Sequence, residues 1–294
     1  MNRTLNLALA TLCAVLGAGP LAGCHEARNE SIRLMNEGLQ LVKRDRAVDA
    51  VKQFARAGET DPTNDRAFYY QGMVMGQKLG EHDKAVVALR KAIELSDQKY
   101  EYHYQLGAVL AKKKLWAPAN AALAKSIALK PEHAESHFRQ GRAFEQMEQF
   151  DRAQEAYRNA IEHDPWRPEA YNALGNLYLR FEQHSHAVQV FKNAVENNPR
   201  SVANYRDLGV AYRQQNRLDD AIRQFERAQQ VDPRDSGTLF NLGMTQRDRG
   251  ETREAVFTLK RYLMARTASE DALRLDLVRG ILTKMQTQLQ KAPR

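Results

Sequence analysis

Cysteine is almost missing from this chain: 294 residues contain two, Cys13 and Cys24. Both lie in the first 24 positions, so no disulfide can staple the remainder and no CxxC metal or redox pair exists. Extended apolar stretches are scarce too. The one at the N-terminus, from about Leu5 to Leu16, is roughly 12 residues, where a membrane-spanning helix needs about 20. Tryptophan occurs twice and proline nine times. The signatures of phosphate-cradling and hydrolytic sites are absent: there is no GxGxxG, P-loop, HExxH or GxSxG. Dinucleotide, nucleotide, zinc-protease and serine-hydrolase chemistry therefore lose their sequence support. No cofactor, no metal and no catalytic set is expected.

What the N-terminus does contain is an address. "MNRTLNLALATLCAVLGAGPLAGC" carries one charge, Arg3, then the apolar run, then Gly17, Gly19 and Pro20. A short positive region, an apolar core and a small-residue cleavage site describe a secretory signal peptide. The tetrad Leu21-Ala22-Gly23-Cys24 resembles the lipobox of bacterial lipoproteins. That resemblance implies cleavage after residue 23 and acylation of Cys24. Several acyl chains hold stably where one is marginal. The other reading is a plain secreted protein with Cys24 an ordinary thiol. His25 stands where enteric lipoproteins retained in the inner membrane tend to carry Asp, which resembles sorting to the periplasmic face of the outer membrane. Residues 24–30 would be a lipidated tether, at most about 25 Å when extended. Losing residues 1–23 removes Arg3 and takes the formal charge from +8 to +7.

The few glycines are not scattered. Gly38, Gly72, Gly107, Gly141, Gly175, Gly209 and Gly243 are spaced by 34 or 35 residues. Ala50, Ala85, Ala119, Ala153, Ala187, Ala221 and Ala255 keep the same period. Four residues after each alanine comes a large side chain: Phe54, Leu89, Leu123, Tyr157, Phe191, Phe225 and Leu259. Twelve residues after it, in five units, comes a proline: Pro62, Pro131, Pro165, Pro199 and Pro233. Each unit holds two helix-period apolar stretches. A mid-helix glycine costs about 1 kcal/mol against alanine, so its recurrence points to close approach of helix B across helix A, with Gly and Ala face to face. The Asp-Pro pairs at 61–62, 164–165 and 232–233 stop helix B. One extra residue between Gly72 and Ala85 is expected in the turn around Gly80. Asp97 replaces a proline and predicts a looser junction. Tyr262 stands where other units have Ala or Ser, so the array ends there. A capping helix should follow over 269–290, with Ser269 as N-cap and Leu273, Leu277, Ile281 and Met285 as its apolar face.

This pattern is identified as that of the tetratricopeptide repeat family. The resemblance covers residues 31–268 in seven units: 31–64, 65–99, 100–133, 134–167, 168–201, 202–235 and 236–268. It implies an all-α fold, a right-handed superhelical α-solenoid of about seven helix pairs closed by the capping helix, and no room for a separate catalytic domain.

The family lines its groove with helix A residues near −3, +1 and +4 from the repeat glycine. Carried over, this implies a partner-binding groove of Tyr69, Met73, Tyr104, Phe138, Arg142, Asn172, Asn176, Arg206, Arg213, Phe240, Met244 and Arg247, with Ala108, Glu145 and Val210 at the same phases. It would be aromatic and Met-rich early and Arg-bearing late; such side chains are enriched at interfaces. About a third should pack within their own helix pair. The clamp for a C-terminal carboxylate that chaperone-binding members carry is not matched: Asn172 and Asn176 hold its first phases, but Asp207 and Gly237 stand where Asn and Lys would be needed. His133 and His137, four apart, could share a helix face as metal ligands do, but His103 and His137 occupy a packing slot. His184 and His186 fall in a predicted turn. The positive charge is spread beside Glu and Asp, so nucleic acid is not the expected partner.

The function these readings imply is a membrane-anchored adaptor. It would bind proteins of the cell envelope through an extended peptide or helix in the groove, as an assembly factor and most of all a pilotin-like one. A polysaccharide-export or glycan-binding scaffold and an adaptor for peptidoglycan enzymes are the alternatives. Nothing in the sequence sets an oligomeric state.

Overall fold

The computed structural model describes residues 20–265 and 272–291, and all regular structure among them is helical. The first pair is α1 (Pro20–Lys43) and α2 (Ala47–Thr60). The second is α3 (Asp65–Val74), prolonged by a π-helical turn at Met75–Leu79, and α4 (His82–Leu95). Then come α5 (Tyr100–Lys112) with α6 (Trp116–Leu129), α7 (Ala134–Gln146) with α8 (Phe150–His163), and α9 (Pro168–Arg180) with α10 (His184–Asn197). The last pairs are α11 (Val202–Gln214) with α12 (Leu218–Val231) and α13 (Ser236–Arg249) with α14 (Thr252–Ala265), followed by α15 (Ala272–Lys291). Two compact units result, residues 1–156 and 157–294, the division falling inside α8. Within each, successive helices pack in chain order. Odd-numbered helices also touch the next odd-numbered one: α1 with α3 and α5 with α7 in the first unit, α9 with α11 and α11 with α13 in the second. Each unit is thus an α-solenoid with its A helices drawn together along one side.

The recurring glycine explains the pairing. A Cβ on Gly38, Gly72, Gly107, Gly209 or Gly243 would lie within 2.7 Å of Phe54, Leu89, Leu123, Phe225 or Leu259 respectively, and one on Gly175 would overlap Phe191. The glycine therefore receives the large side chain four residues after the alanine, and at Gly72 and Gly107 the alanine's backbone as well. The alanine's part is its carbonyl, about 3.0 Å from a Cβ on Gly72 and 3.1 Å for Gly107. Phe54, Leu89, Leu123, Phe225 and Leu259 are all fully buried.

A second period was not visible in residue type. Seven residues after the repeat glycine the backbone turns left-handed: Asp45 (φ 56°), Lys114 (59°), Glu148 (58°), Glu182 (57°), Asn216 (58°) and Gly250 (92°). The next N–H bonds back to the carbonyl five residues earlier, as in Arg46 to Leu41 (2.9 Å), Gln183 to Tyr178 (2.8 Å) and Glu251 to Gln246 (2.9 Å). This closes helix A in a Schellman turn. In repeat 2 the left-handed residue is Gly80 (φ 69°), eight after Gly72, and the bond from Glu81 to Met75 (3.0 Å) spans one residue more. The extra residue is therefore absorbed in the π-helical turn preceding Gly80, where one wider turn keeps both flanking registers.

The Asp-Pro junctions end helix B as expected, at Thr60, His163 and Val231. The aspartates also accept the N–H two residues on, Thr63 for Asp61 (3.0 Å) and Arg234 for Asp232 (2.9 Å). The repeat 2 junction is not looser: His103 Nε2 donates to the Asp97 carbonyl (2.9 Å), as His137 does to Pro131 (2.7 Å). His184 and His186 lie in the first turn of α10, not in a loop.

Both ends differ from the sequence reading. Residues 24–30 belong to α1, so they rise about 10 Å as helix where an extended tether could reach about 25 Å. Residues 1–19 of the leader and Ser269 lie outside the described residues. The cap helix buries Leu275, Val278, Leu282 and Met285 against Tyr262, whereas Leu273 and Leu277 face outward. Tyr262 is fully buried and fills the slot that Ala leaves open for a next helix A. Of the expected face, Met285 is buried and Ile281 packs against the same cluster, while Leu275, Val278 and Leu282 take the places expected for Leu273 and Leu277. Among the described residues no helix is long and apolar enough to cross a membrane.

Left-handed backbone strains every residue but glycine by about 1–2 kcal/mol, partly offset by glycine's extra unfolded-state entropy. Lys114→Gly, at an exposed turn, should therefore stabilise the chain by about 0.5–1 kcal/mol. Gly175→Ala should destabilise it by about 1–3 kcal/mol through overpacking against Phe191. Urea midpoints of the two variants check both signs.

Candidate partner-binding surface

In the first unit, neighbouring A helices present aromatic rings fixed by polar partners. Tyr69 of α3 stacks on Tyr102 of α5 (centroids 4.6 Å) and tilts against Tyr70 (5.1 Å). Burial pushes the Tyr69 phenol up to about 12. The Tyr102 hydroxyl donates to Asp65 Oδ2 (2.9 Å), and the Lys99 ammonium pairs with the same carboxylate. Burial alone would raise Asp65, but hydrogen bonds from Lys99 and Tyr102 and the Lys99 charge outweigh it and hold the carboxyl below its ordinary range. One helix on, the Tyr104 hydroxyl accepts from Arg139 Nε (3.1 Å) and donates to Glu135 Oε1 (3.4 Å) of α7. Arg139 itself pairs with Glu135 (2.6 Å). Burial raises the Tyr104 phenol, so it stays a neutral hydrogen-bonding group. The Tyr104 ring meets His133 edge-on at 5.0 Å. Lys112 Nζ reaches the Gly76 carbonyl (2.9 Å) within the π-helical turn.

The predicted residues separate on inspection. Tyr104 and Phe138 are half-buried and Arg142 is exposed. Met73 packs into the core around Phe54, and Tyr69 into the one around Leu89. They brace the surface more than they display it.

In the second unit the A helices carry a polar ladder. Asn176 Nδ2 donates to Asn172 Oδ1 (2.9 Å), and Asn172 Nδ2 donates to Asp207 Oδ2 (2.7 Å). Arg206 bonds Asp235 (3.2 Å), the N-cap of α13, and lies 3.9 Å from Asp207. Gly237 makes room for that reach, since a Cβ there would stand 3.0 Å from Arg206 Nη1. Burial pushes the Asp207 carboxyl above its ordinary value, while the Asn172 bond and the Arg206 charge pull it back. The ladder sits where a carboxylate clamp would, and Asp207 itself takes the Asn172 amide that a client carboxylate would use.

This corrects the Arg-bearing reading. Arg206 is held by Asp235 and Arg247 by Asp248 (2.6 Å). Among the described residues Arg213 has no ion-pair partner, and it is half-exposed. Met244 is buried at 9% exposure, and Phe240 packs on Tyr262 (5.6 Å) under the Arg274 guanidinium (5.3 Å). Asp65, Lys112, Glu135, Arg139 and Asp235 shape the surface although phase counting did not select them. Only Asp65 had a signal in the spacing, an opposite charge one repeat on at Lys99; Glu135 and Arg139 pair four residues apart within α7, and Lys112 bonds a backbone carbonyl. Among the described residues no group of three His, Cys, Asp or Glu is placed to hold a metal ion.

Sequence profiles of the family described as tetratricopeptide repeat match residues 66–96, 138–202 and 202–235. The chain carries tetratricopeptide repeats. A search of curated proteins finds no match. Among solved structures, the repeat array is similar to MamA at 25% identity and a TM-score of 0.53, over 55% of this chain and 94% of MamA. It is similar to YrrB, described as having an unusual peptide-binding site, at 20% identity and a TM-score of 0.51, over 63% of this chain and 95% of YrrB. PilW, described as a widely conserved type IV pilus biogenesis factor, matches at 18% and a TM-score of 0.59, over 72% of this chain and 98% of PilW. The fold is that of a protein-interaction scaffold.

The two aspartates titrate with opposite sign. Asp65, lowered in the fold, stabilises above its unfolded value, and this is lost as pH falls through its folded value. Asp207, raised in the fold, contributes below its unfolded value and loses this as pH rises through its folded one. Asp65→Asn should therefore destabilise most near neutrality and less in acid. Asp207→Asn should be best tolerated near neutrality and cost more in acid. Urea midpoints at pH 7 and in mild acid compare them.

Proposed function

We propose that this chain is a lipid-anchored adaptor of the bacterial envelope that holds a segment of a client protein against its A helices. The observation that carries the reading is the surface of the first unit. Tyr104 is open to solvent on one side and fixed on the other by Glu135 and Arg139. A ring held in one rotamer loses little entropy on binding, which is what makes aromatic anchors effective. The second unit adds side-chain amides for a client backbone and Arg213 as an unneutralised cation. A pilotin-like task is the favoured one. It is supported by the lipobox-like Leu21-Ala22-Gly23-Cys24 and by a fold shared with PilW at 18% identity.

The anchor and the array belong together physically. Lipid on Cys24 confines the chain to a surface and raises the effective concentration of clients there. Because residues 24–30 are helix, repeat 1 starts about 10 Å from Cys24, and the first unit's surface is held beside the bilayer. The reading places the anchor on the periplasmic face of the outer membrane.

Photo-cross-linkers at Tyr104 and, separately, Arg213, followed by mass spectrometry from intact cells, should capture one recurrent envelope protein. Arg213→Glu should weaken an acidic client about tenfold or more, since a like charge replaces an attraction, whereas Arg247→Ala should change little because Asp248 already neutralises that side chain. Cys24→Ala should move the chain out of the membrane fraction. Capture of no protein from either site, with the chain correctly membrane-bound, would sink the adaptor reading in favour of glycan binding.

A further inference from the structure

Outward-facing positions of the B helices can be compared repeat by repeat, at −2, +2, +5 and +9 from the repeat alanine. They read Val48, Lys52, Ala55 and Glu59 in α2, and Asp83, Val87, Arg90 and Glu94 in α4. In α8 they are Asp151, Glu155, Arg158 and Glu162; in α10, Ser185, Gln189, Lys192 and Glu196; in α12, Asp219, Arg223, Glu226 and Gln230. An acid or amide closes each of these stripes. Alpha helix α6 replaces the whole stripe by alanine. Helix α14 departs in a different way: its stripe is Arg253, Phe257, Lys260 and Met264.

Those four positions fall within about 60° of one another around the helix, so they form one face. Phe257 is 65% exposed and Met264 85%. Arg261 flanks the stripe, with its guanidinium 5.8 Å from the Phe257 ring and Nη2 bonded to the Pro233 carbonyl (3.1 Å). Arg253 and Lys260 have no ion-pair partner among the described residues, and the acid of the helix, Glu254, lies about 100° round from Arg253. No other repeat places two large unbranched or aromatic side chains on this face, and none does so between cations.

We propose that the outer face of α14 docks on an anionic phospholipid surface. Three features select this occupant. The apolar side chains stand out from the helix, Phe257 at 65% and Met264 at 85% exposure, so they can enter a plane. It presents no hydrogen-bond acceptor or rigid polar group that would read a particular protein partner. Its chemistry, Phe and Met between Arg and Lys, is that of interfacial helices, whose apolar side chains enter the acyl boundary while cations meet anionic headgroups. This contact is separate from the anchor at Cys24 and from the A-helix surfaces. Its failure would leave the adaptor reading untouched.

The test uses the full chain and reads the site itself. Phe257→Trp puts an indole on the face, and the unsubstituted chain, with Trp116 and Trp166 alone, provides the background signal. Vesicles of brominated phosphatidylglycerol should quench the added indole strongly, and brominated phosphatidylcholine should not. Adding Lys260→Glu and Arg261→Glu should reduce that quenching at least tenfold in apparent affinity, even where the chain stays vesicle-bound through its N-terminus. The proposal is overturned if the chain binds vesicles and the added indole is unquenched. It is equally overturned if both lipids quench alike, or if the face binds a soluble acidic protein and not the vesicles. Met264→Gln, exposed and distant from the core, serves as a second variant that folds, and it should weaken quenching with the thermal transition unchanged.

Discussion

Everything regular in this molecule rests on one steric fit, a large side chain of helix B seated on a glycine of helix A. No other residue leaves space there: a methyl group on Gly38, Gly107 or Gly209 would lie within 2.7 Å of Phe54, Leu123 or Phe225. The fit fixes where the two helices touch, and the touching point fixes which residues of helix A face outward. A pair alone cannot bury its remaining apolar surface, so the next pair must cover it. Pairing, stacking and the phase of the exposed side chains are consequences of the same contact.

Stacking also decides where the array stops. Alanine at 57, 92, 160, 194 and 228 leaves room for the following helix A. Tyr262 fills that room and meets a differently oriented helix, whose Leu275, Val278, Leu282 and Met285 close the core. The same economy appears in repeat 2. A surplus residue would shift every later side chain by about 100° if it stayed α-helical, and a single π-helical turn contains it before Gly80. Its freed Gly76 carbonyl is taken up by Lys112.

The surfaces that follow are electrostatically tempered. Cations are abundant on the A helices, yet Arg206, Arg139 and Arg247 are held by acids nearby. Such pairs fix geometry and selectivity more than they add affinity. What remains for a partner is a set of oriented aromatic edges, a ladder of amides and the cations Arg142 and Arg213. This composition suits a flexible segment with an aromatic anchor better than a small ligand, which needs an enclosed pocket.

Period, helix class and repeat number could be read from residue spacing, because a glycine, an alanine and a bulky residue at fixed distance leave one way to pack; the outward phases of Tyr104, Asn172 and Arg213 came from the resemblance to the repeat family. The sequence likewise determined where helix B stops, since Asp-Pro forbids its continuation at Asp61, Asp164 and Asp232. Tertiary structure alone decided which of those outward phases are free. Met244 and Phe240 share a phase with exposed residues, but Met244 is buried and Phe240 packs on Tyr262, and Asn172 is engaged by a carboxylate 35 positions away. It also decided the left-handed turns at Lys114, Glu148 and Glu182, residue types that avoid that backbone. There, closing helix A onto helix B outweighs local preference, and no single residue records that balance.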